Sequence, residues 1–404
     1  MDRVVRLSLY GDIEHASPDM DLVWDLFQTE ALARLRDISL SSTPSRFAAH
    51  GMAASRFEHS VGVAYLARKL CDWRPGIRDS RDLLMSAALC HDIGSPPFSH
   101  ISELFMYDLS GRTHEQETEI LLAPGTELHE LLSSYKVDPQ AVVDIINGQH
   151  ESLGPLISGS IDLDNIDNSI HLLRSMGYSA ERYVPKRLIK AYRWQHGKIM
   201  LDTSYLSQIV GWAETRRELY DILHSEAHLS SATMLYRALE FAYDDGLIEE
   251  DFFRLGESDA LFFLNKRCGG KTRDLIDRAL RWKQYHLFYQ QINSQHDQRL
   301  NSLYNDWRGR KMFADNLADR LGIPAEDIAV YIGSDRGEKA IKLPFYGTHA
   351  QAVSELFGNR RGAQRLTIFC SREHSRLKNS KKIANETNRA IAELPEAEAG
   401  HAFF

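Results

Sequence analysis

"LCHDIGSPPFSHISE" occupies residues 89–103 and ends an apolar run on a histidine–aspartate pair. The preceding "LLMSAALC" (83–90) is nearly all apolar, which predicts a buried helix. Gly94 lets the chain leave that helix. Beyond two prolines stand His100 and Glu103, three residues apart and so on one helical face. Ionisable groups placed at the end of a buried helix are costly unless they pair or hold a metal.

Two other stretches supply groups of the same kind. In "SRFEHS" (55–60), His59 begins a helix and shares a face with Val63, Leu66, Ala67 and Leu70, so it points toward the core. In "SIDLDNIDNSIHLL" (160–173), Asp162, Asp164 and Asp167 open a helix whose core stripe is Ile166, Ile170 and Leu173. Two imidazoles and two carboxylates suit a divalent ion such as Mn, Mg, Fe, Co or Zn. They leave positions open for water and a phosphate oxygen, and such an ion lowers the pKa of its water.

The bulk composition is that of a globular protein: 404 residues, 43% hydrophobic and 26% charged. A net charge of −8 argues against a dedicated nucleic-acid binder. Four scattered cysteines suit free thiols in a reducing compartment. The N-terminal stretch lacks the apolar core of a secretory signal, and no apolar run is long enough to span a bilayer. The expectation is a cytoplasmic protein without membrane contact.

Helical periodicity recurs over 19–40, 59–72, 82–92, 115–122, 139–147, 161–176 and 204–246, and a helix pair is predicted over 272–308. "VVRLSLY" (4–10) reads as a strand. "IAVYIGS", "IKLPFYG" and "RLTIFCS" read as strands of a small antiparallel sheet over 325–372, with helices at 311–321, 348–357 and 377–393. The predicted fold is mostly α, a helical core with a small C-terminal α/β lobe. The expected division is 1–250 for the core, 251–310 for a helical extension and 311–404 for the lobe.

"RFEHS", "HDIGSPPFSH", "THEQE" and "DLD" together resemble the HD-domain phosphohydrolase superfamily. Within it the chain is similar to the deoxynucleoside triphosphate triphosphohydrolases of the SAM-and-HD-domain and bacterial dGTPase type, without a SAM domain. "ARLRDI", "ELYDILHSEAHLSS" and "VYIGSD…LTIFCSRE" extend the resemblance over nearly the whole chain. It implies His59, His91, Asp92 and Asp164 as metal ligands and His100, Glu103 and His114 as proton handlers. It also implies Arg56 as a substrate contact and a homo-oligomer, dimer or tetramer. The substrate expected is a nucleotide, first of all a dNTP hydrolysed to deoxynucleoside and triphosphate.

Departures from the family pattern keep other substrates open. Ser95 stands where many relatives have a histidine, and Leu40 stands near a sugar-contacting glutamine. Glu226 and Met234 replace a phosphate-binding arginine and a sugar-stacking tyrosine; Asn165 and Asn168 replace a lysine and a tyrosine. An acid where a triphosphate should lie would repel it. The alternative is therefore a phosphatase or phosphodiesterase acting on a monophosphate, a modified nucleotide or a phosphodiester. A second alternative, a regulatory or nucleic-acid-binding protein, draws on the basic residues of 360–382. "CGGKTR" (268–273) lacks the phosphate-loop spacing and reads as a loop. His129 and His150 read as surface histidines, and "WKQYHLFYQQ" (282–291) as core or subunit interface.

Overall fold

The computed structural model describes residues 4–14, 20–47, 54–178, 182–195, 197–358 and 362–397. A hairpin of β1 (Val4–Leu7) and β2 (Gly11–Glu14) opens the chain. Short helices α1 (Asp21–Leu26) and α2 (Glu30–Arg34) lead to α3 (Arg56–Trp73) and α4 (Arg81–Cys90). There follow α5 (His100–Ser110), α6 (His114–Leu121), α7 (Glu127–Ser134), α8 (Pro139–Ile146) and α9 (Leu163–Ser175). The middle of the chain holds α10 (Pro185–Leu188), β3 (Tyr192–Gln195), β4 (Lys198–Asp202), α11 (Leu206–Leu223), α12 (Glu226–Asp244), α13 (Glu257–Lys266) and α14 (Gly270–Leu280). The last part runs β5 (His286–Asn293), α15 (Gln298–Asn301), α16 (Trp307–Leu321), β6 (Ile328–Ser334), β7 (Phe345–Tyr346), α17 (Ala350–Phe357), β8 (Gln364–Cys370) and α18 (Lys381–Ala392). The chain is mostly helical, with small sheets.

Local chemistry fixes the ends of the helices that carry the motifs. Ser55 caps α3 by accepting the Glu58 N–H, and Asp162 caps α9 by accepting the Asn165 N–H. Thr113 and Gln116 form a reciprocal capping box at the start of α6. Helix α4 buries every residue from Leu84 to Cys90. Full burial of each leucine in such a helix is worth about 1.5–3 kcal/mol, so the pair His91–Asp92 is anchored at a fixed point of the core. Helix α3 packs between α4 and α9, which draws their polar ends together.

Three apolar clusters organise the rest. The first joins α3, α4, α8 and α9 to Phe345, Val353 and Phe357 from the C-terminal part. The second gathers α5, α12, α13 and α14, and the third lies between the sheet β5–β8–β6 and helices α16 and α18.

The sequence reading differs from the structure in several places. The helix pair expected over 272–308 is interrupted by β5, which pairs antiparallel with β8. Trp282, at φ +57°, ends the helical run, and the aromatic residues that follow favour a strand. The run read as helical over 204–246 breaks at Ser225, whose hydroxyl caps α12. Of "IKLPFYG", Phe345–Tyr346 forms a strand, and it pairs parallel with β4 rather than joining the sheet of β6 and β8. "CGGKTR", read as a loop, is one only in part: Gly269 precedes α14 and Gly270–Arg273 form its first turn. No helix among the described residues is long and apolar enough to cross a membrane. Arg360, Arg361 and the terminal phenylalanines lie outside the described residues.

Candidate active site

His59 Nε2 lies 3.0 Å from Asp164 Oδ1, and His91 Nε2 lies 4.0 Å from the same oxygen. These three residues form a group whose donor atoms all lie within 4.8 Å of one another. Asp92 Oδ2 sits beside them, 3.5 Å from His91 Nε2 and 4.0 Å from His59 Nε2. It also faces Arg56 Nη1 at 2.6 Å. Asp167 and His171 form a second such group with His59, and His129 and His150 belong to neither among the described residues.

The arrangement fits a divalent cation. The His91 Nδ1–H donates to Ala88 O at 2.8 Å, and the His59 Nδ1–H donates to Asp167 Oδ2 at 2.7 Å. With each Nδ1 so engaged, each buried Nε2 is the nitrogen left to take a metal: His59 Nε2 faces Asp164 Oδ1 at 3.0 Å, and His91 Nε2 makes no hydrogen bond among the described residues. Buried polar atoms of this kind are rare without a ligand. Burial opposes a charged His59, yet Asp164 and Asp167 raise it to about 10. A donor set that holds a proton so firmly has negative charge for a cation to balance. Burial likewise opposes ionisation of Asp92, but Arg56, His91 and His59 keep it well below the usual carboxylate range.

A second layer orients the donors. Asp167, wholly buried, also accepts from His171 Nδ1 at 3.0 Å and, through Oδ1, from the Tyr10 hydroxyl at 2.6 Å. Glu58 faces His171 Nε2 at 3.4 Å and accepts from Ser8 Oγ at 2.8 Å. Its carboxyl is lowered to about 2, chiefly by His171. The small size of Gly62 is required here, because a Cβ would meet Asp167 Oδ1 at 2.4 Å. Gly94 plays a related part. It was expected to end a helix, but α4 ends at Cys90, and a Cβ at Gly94 would meet His114 O at 2.2 Å. That close approach seats α6 against the HD loop.

The three expected proton handlers meet at one carboxylate. Glu103 is buried, takes the His100 Nδ1–H at 3.0 Å and lies 2.8 Å from His114 Nδ1. Burial works against its charge, but the two imidazoles hold it well below the usual range. Burial works against charge on His114 too, but Glu103 raises it to about 9. The turn before α5 has left-handed backbone at Phe98 and Ser99, φ +65° and +50°. Ser99 Oγ there accepts from Arg56 Nε at 2.8 Å and so sets the arginine against Asp92.

These groups open on one cavity of ≈ 470 Å³. Arg56, His91, Asp92, Asp164, His100 and His114 line it, whereas His59 and Glu103 stand behind that lining. Leu40, Asn165 and Asn168 line it as well. Glu226 does not: its carboxylate accepts the Leu287 N–H at 2.9 Å at the edge of β5. Met234 is fully buried and its sulfur accepts the Tyr285 N–H. The acid expected to repel a phosphate chain is thus turned away from the cavity. Ser95 is buried and bonded to Asp92 Oδ1, outside the lining.

Sequence reasoning missed other lining residues, among them Arg216, Tyr220, His224, Tyr331 and Arg336. Arg216 donates to Asn165 Oδ1 at 3.1 Å and to Arg336 O at 3.1 Å. His171 had a legible signal, four residues after Asp167 on the same helix face. Arg336 and Tyr331 had none, since they arrive from the distant C-terminal part.

Residues 56–222 match the HD domain family. Over 299 residues the chain is 29% identical to the uncharacterized protein YwfO of Bacillus subtilis, covering 66% of this chain and 67% of that protein. It is 26% identical over 271 residues to the deoxynucleoside triphosphate triphosphohydrolase SAMHD1 homolog of Dictyostelium discoideum, covering 61% of this chain and 50% of the relative. SAMHD1 of Bos taurus is 30% identical over 167 residues, 38% of this chain and 27% of that one. The match thus spans half or less of the SAMHD1 proteins. A hypothetical protein from Aquifex aeolicus shares the fold, with a TM-score of 0.70, 20% identity and coverage of 96% of this chain and 100% of that one. Family and geometry support a metal-dependent phosphohydrolase. Residues 56–222 thus carry an HD domain, and parts of the chain are similar to deoxynucleoside triphosphate triphosphohydrolases.

Proposed function

We propose that the protein hydrolyses a deoxynucleoside triphosphate to the deoxynucleoside and inorganic triphosphate. The observation that carries this reading is the pair of buried Nε2 atoms of His59 and His91 facing Asp164 beside a nucleotide-sized cavity. His59, His91, Asp92 and Asp164 are the residues that would hold the cation, Mn, Mg, Fe, Co or Zn. When bound, such an ion polarises a phosphoryl group and makes water a better nucleophile.

The protein's own residues do the rest. Arg56 reaches the cavity and meets a phosphate oxygen. Water forms a bond to the α-phosphorus, the bond from that phosphorus to the 5′ oxygen breaks, and the electron pair goes to that oxygen. His114 or His100 delivers the proton it needs, and the proton lost by water passes to solvent. Glu103 holds both imidazoles in orientation and favours the charged form of His114 for the transfer. The SAMHD1 relatives support the choice of substrate, and a homo-oligomer belongs to the same reading.

A second reading, hydrolysis of a monophosphate, modified nucleotide or phosphodiester, is favoured by Leu40, Asn165 and Asn168 in the lining. The test is turnover of dNTPs, NTPs, monophosphates and bis(p-nitrophenyl) phosphate by manganese-loaded protein and by the double variant His91→Ala, Asp92→Ala. Turnover of a dNTP that disappears in the variant supports the proposal. Turnover confined to a monophosphate or the diester moves the protein to the second reading. Partner binding that survives metal loss, without turnover, makes it a regulatory protein.

A further inference from the structure

The metal centre borders a second cavity of ≈ 840 Å³. The two cavities share Ile157, Ser158, Asp164 and Asn165, so the second begins where the first reaches Asp164. Its lining includes Glu338, Lys339, Ala340, Lys342 and Leu343, from the segment between β6 and β7. This segment is fastened along its length. Arg217 Nε donates to Glu338 at 2.8 Å, Lys339 Nζ donates to Gly159 O at 3.1 Å, and the Lys342 N–H donates to Ser160 Oγ at 2.8 Å.

The charged groups lining this cavity are Asp162, Asp164, Glu338, Lys339 and Lys342, and the acids are bonded within the protein. Asp162 accepts from the Gly159 N–H, the Asn165 N–H and the Asn165 amide, at 2.8, 2.6 and 2.7 Å. Glu338 is paired with Arg217, and Asp164 faces His59. Lys339 is largely withdrawn from water, and burial works against its charge. Asp162 and Asp164 support that charge, and a further anion beside it would add to their effect. Arg216 stands on the other side of Asn165, in the first cavity, and Lys342 is exposed at the outer end of the second. Arg216 thus lines the first cavity, and Lys339 and Lys342 line the second. The first cavity adds Leu40, Leu172, Leu219, Tyr220 and Tyr331, surfaces for a base and sugar, to the cations Arg56, Arg216 and Arg336.

We propose that the second cavity is an oligophosphate site, in which the phosphate chain of the substrate lies against Lys339 while the nucleoside occupies the first cavity. Its place in the reaction rests on the phosphohydrolase reading above. The freed inorganic triphosphate stays there after cleavage and leaves past Lys342. None of these lysines belongs to the HD motif; they are brought to it by the segment between β6 and β7.

The probe is inorganic tripolyphosphate, with pyrophosphate, orthophosphate and a deoxynucleoside as comparisons, titrated calorimetrically into manganese-loaded protein in buffer of matched free manganese. The site predicts affinity that rises with phosphate number. Lys339→Gln weakens tripolyphosphate ten-fold or more, the size of one charge-assisted hydrogen bond. Lys339→Arg restores most of it, and deoxynucleoside binding and melting temperature stay as in the wild type. Lys342→Glu, at an exposed position that does not endanger folding, weakens tripolyphosphate several-fold. Equal tripolyphosphate affinity in wild type, Lys339→Gln and Lys342→Glu overturns the site, as does affinity indifferent to phosphate number. Lysine-dependent tripolyphosphate binding without dNTP turnover upholds the site and overturns the reaction assigned above. Turnover with lysine-independent binding does the reverse.

Discussion

Asp167 accepts the His59 Nδ1–H at 2.7 Å through the same oxygen that accepts from His171 Nδ1 at 3.0 Å. One buried carboxylate thus fixes the tautomer of His59 and directs its Nε2 toward Asp164. Burial opposes its ionisation, but His171 and His59 hold it well below the usual carboxylate range. Asp167→Asn is expected to weaken metal binding about 10–100-fold, the usual cost of losing such an outer partner. Metal titration monitored by calorimetry checks this; unchanged affinity would remove Asp167 from the site.

Gly62→Ala tests the same contact from the other side. The new methyl would stand 2.4 Å from Asp167 Oδ1. Displacing a wholly buried, triply bonded carboxylate is expected to cost about 1–3 kcal/mol of stability and to lower metal affinity as well. Denaturant melts with and without metal measure both effects.

Glu103→Gln addresses proton transfer. The variant removes the carboxylate that raises His114 to about 9. The wild-type rate should fall as pH rises through about 9, because the imidazolium loses its proton. In Glu103→Gln that alkaline limb should move toward neutral pH. The rate itself should drop about 10²–10⁴-fold, the contribution of a positioned acid, with metal stoichiometry unchanged. A pH–rate profile unaltered in shape would assign the proton elsewhere.

Glu257 carries a pH dependence of stability away from the metal. It is buried at the start of α13, and accepts the Ser39 N–H and hydroxyl. Burial pushes its carboxyl up to about 7 against those hydrogen bonds, with Asp37 adding to the rise. The folded state therefore binds this proton more tightly than the unfolded chain does. The stability it contributes is full below the unfolded value near 4.5 and is lost as pH rises through 7. The span is worth up to about 3 kcal/mol. Glu257→Gln should flatten the stability difference between pH 5 and pH 8; urea melts at both values decide it.

The parts of the site legible in the sequence were those carried by short-range pattern. His59 on the apolar face of α3, His91–Asp92 at the end of a buried run, and His100 with Glu103 three apart are all local relations, and helices convert local spacing into geometry. The mostly helical fold followed from the same periodicity. The strand β5 was hidden because "WKQYHLFYQQ" is aromatic enough for helix or strand, and its partner β8 lies some eighty residues on. Glu226 was misplaced for a related reason. Its position along α12 matched the pattern, but the edge of β5, invisible in the sequence, captures its carboxylate. Lys339 and Arg336 reach the site by topology alone, and no spacing could announce them.

The most direct measurement is phosphorus NMR of the products formed from a dNTP by manganese-loaded protein. The account predicts the resonances of inorganic triphosphate, accumulating in step with free deoxynucleoside and absent with His91→Ala, Asp92→Ala. Orthophosphate or pyrophosphate as the first product, with the nucleotide retaining its α-phosphate, would contradict it.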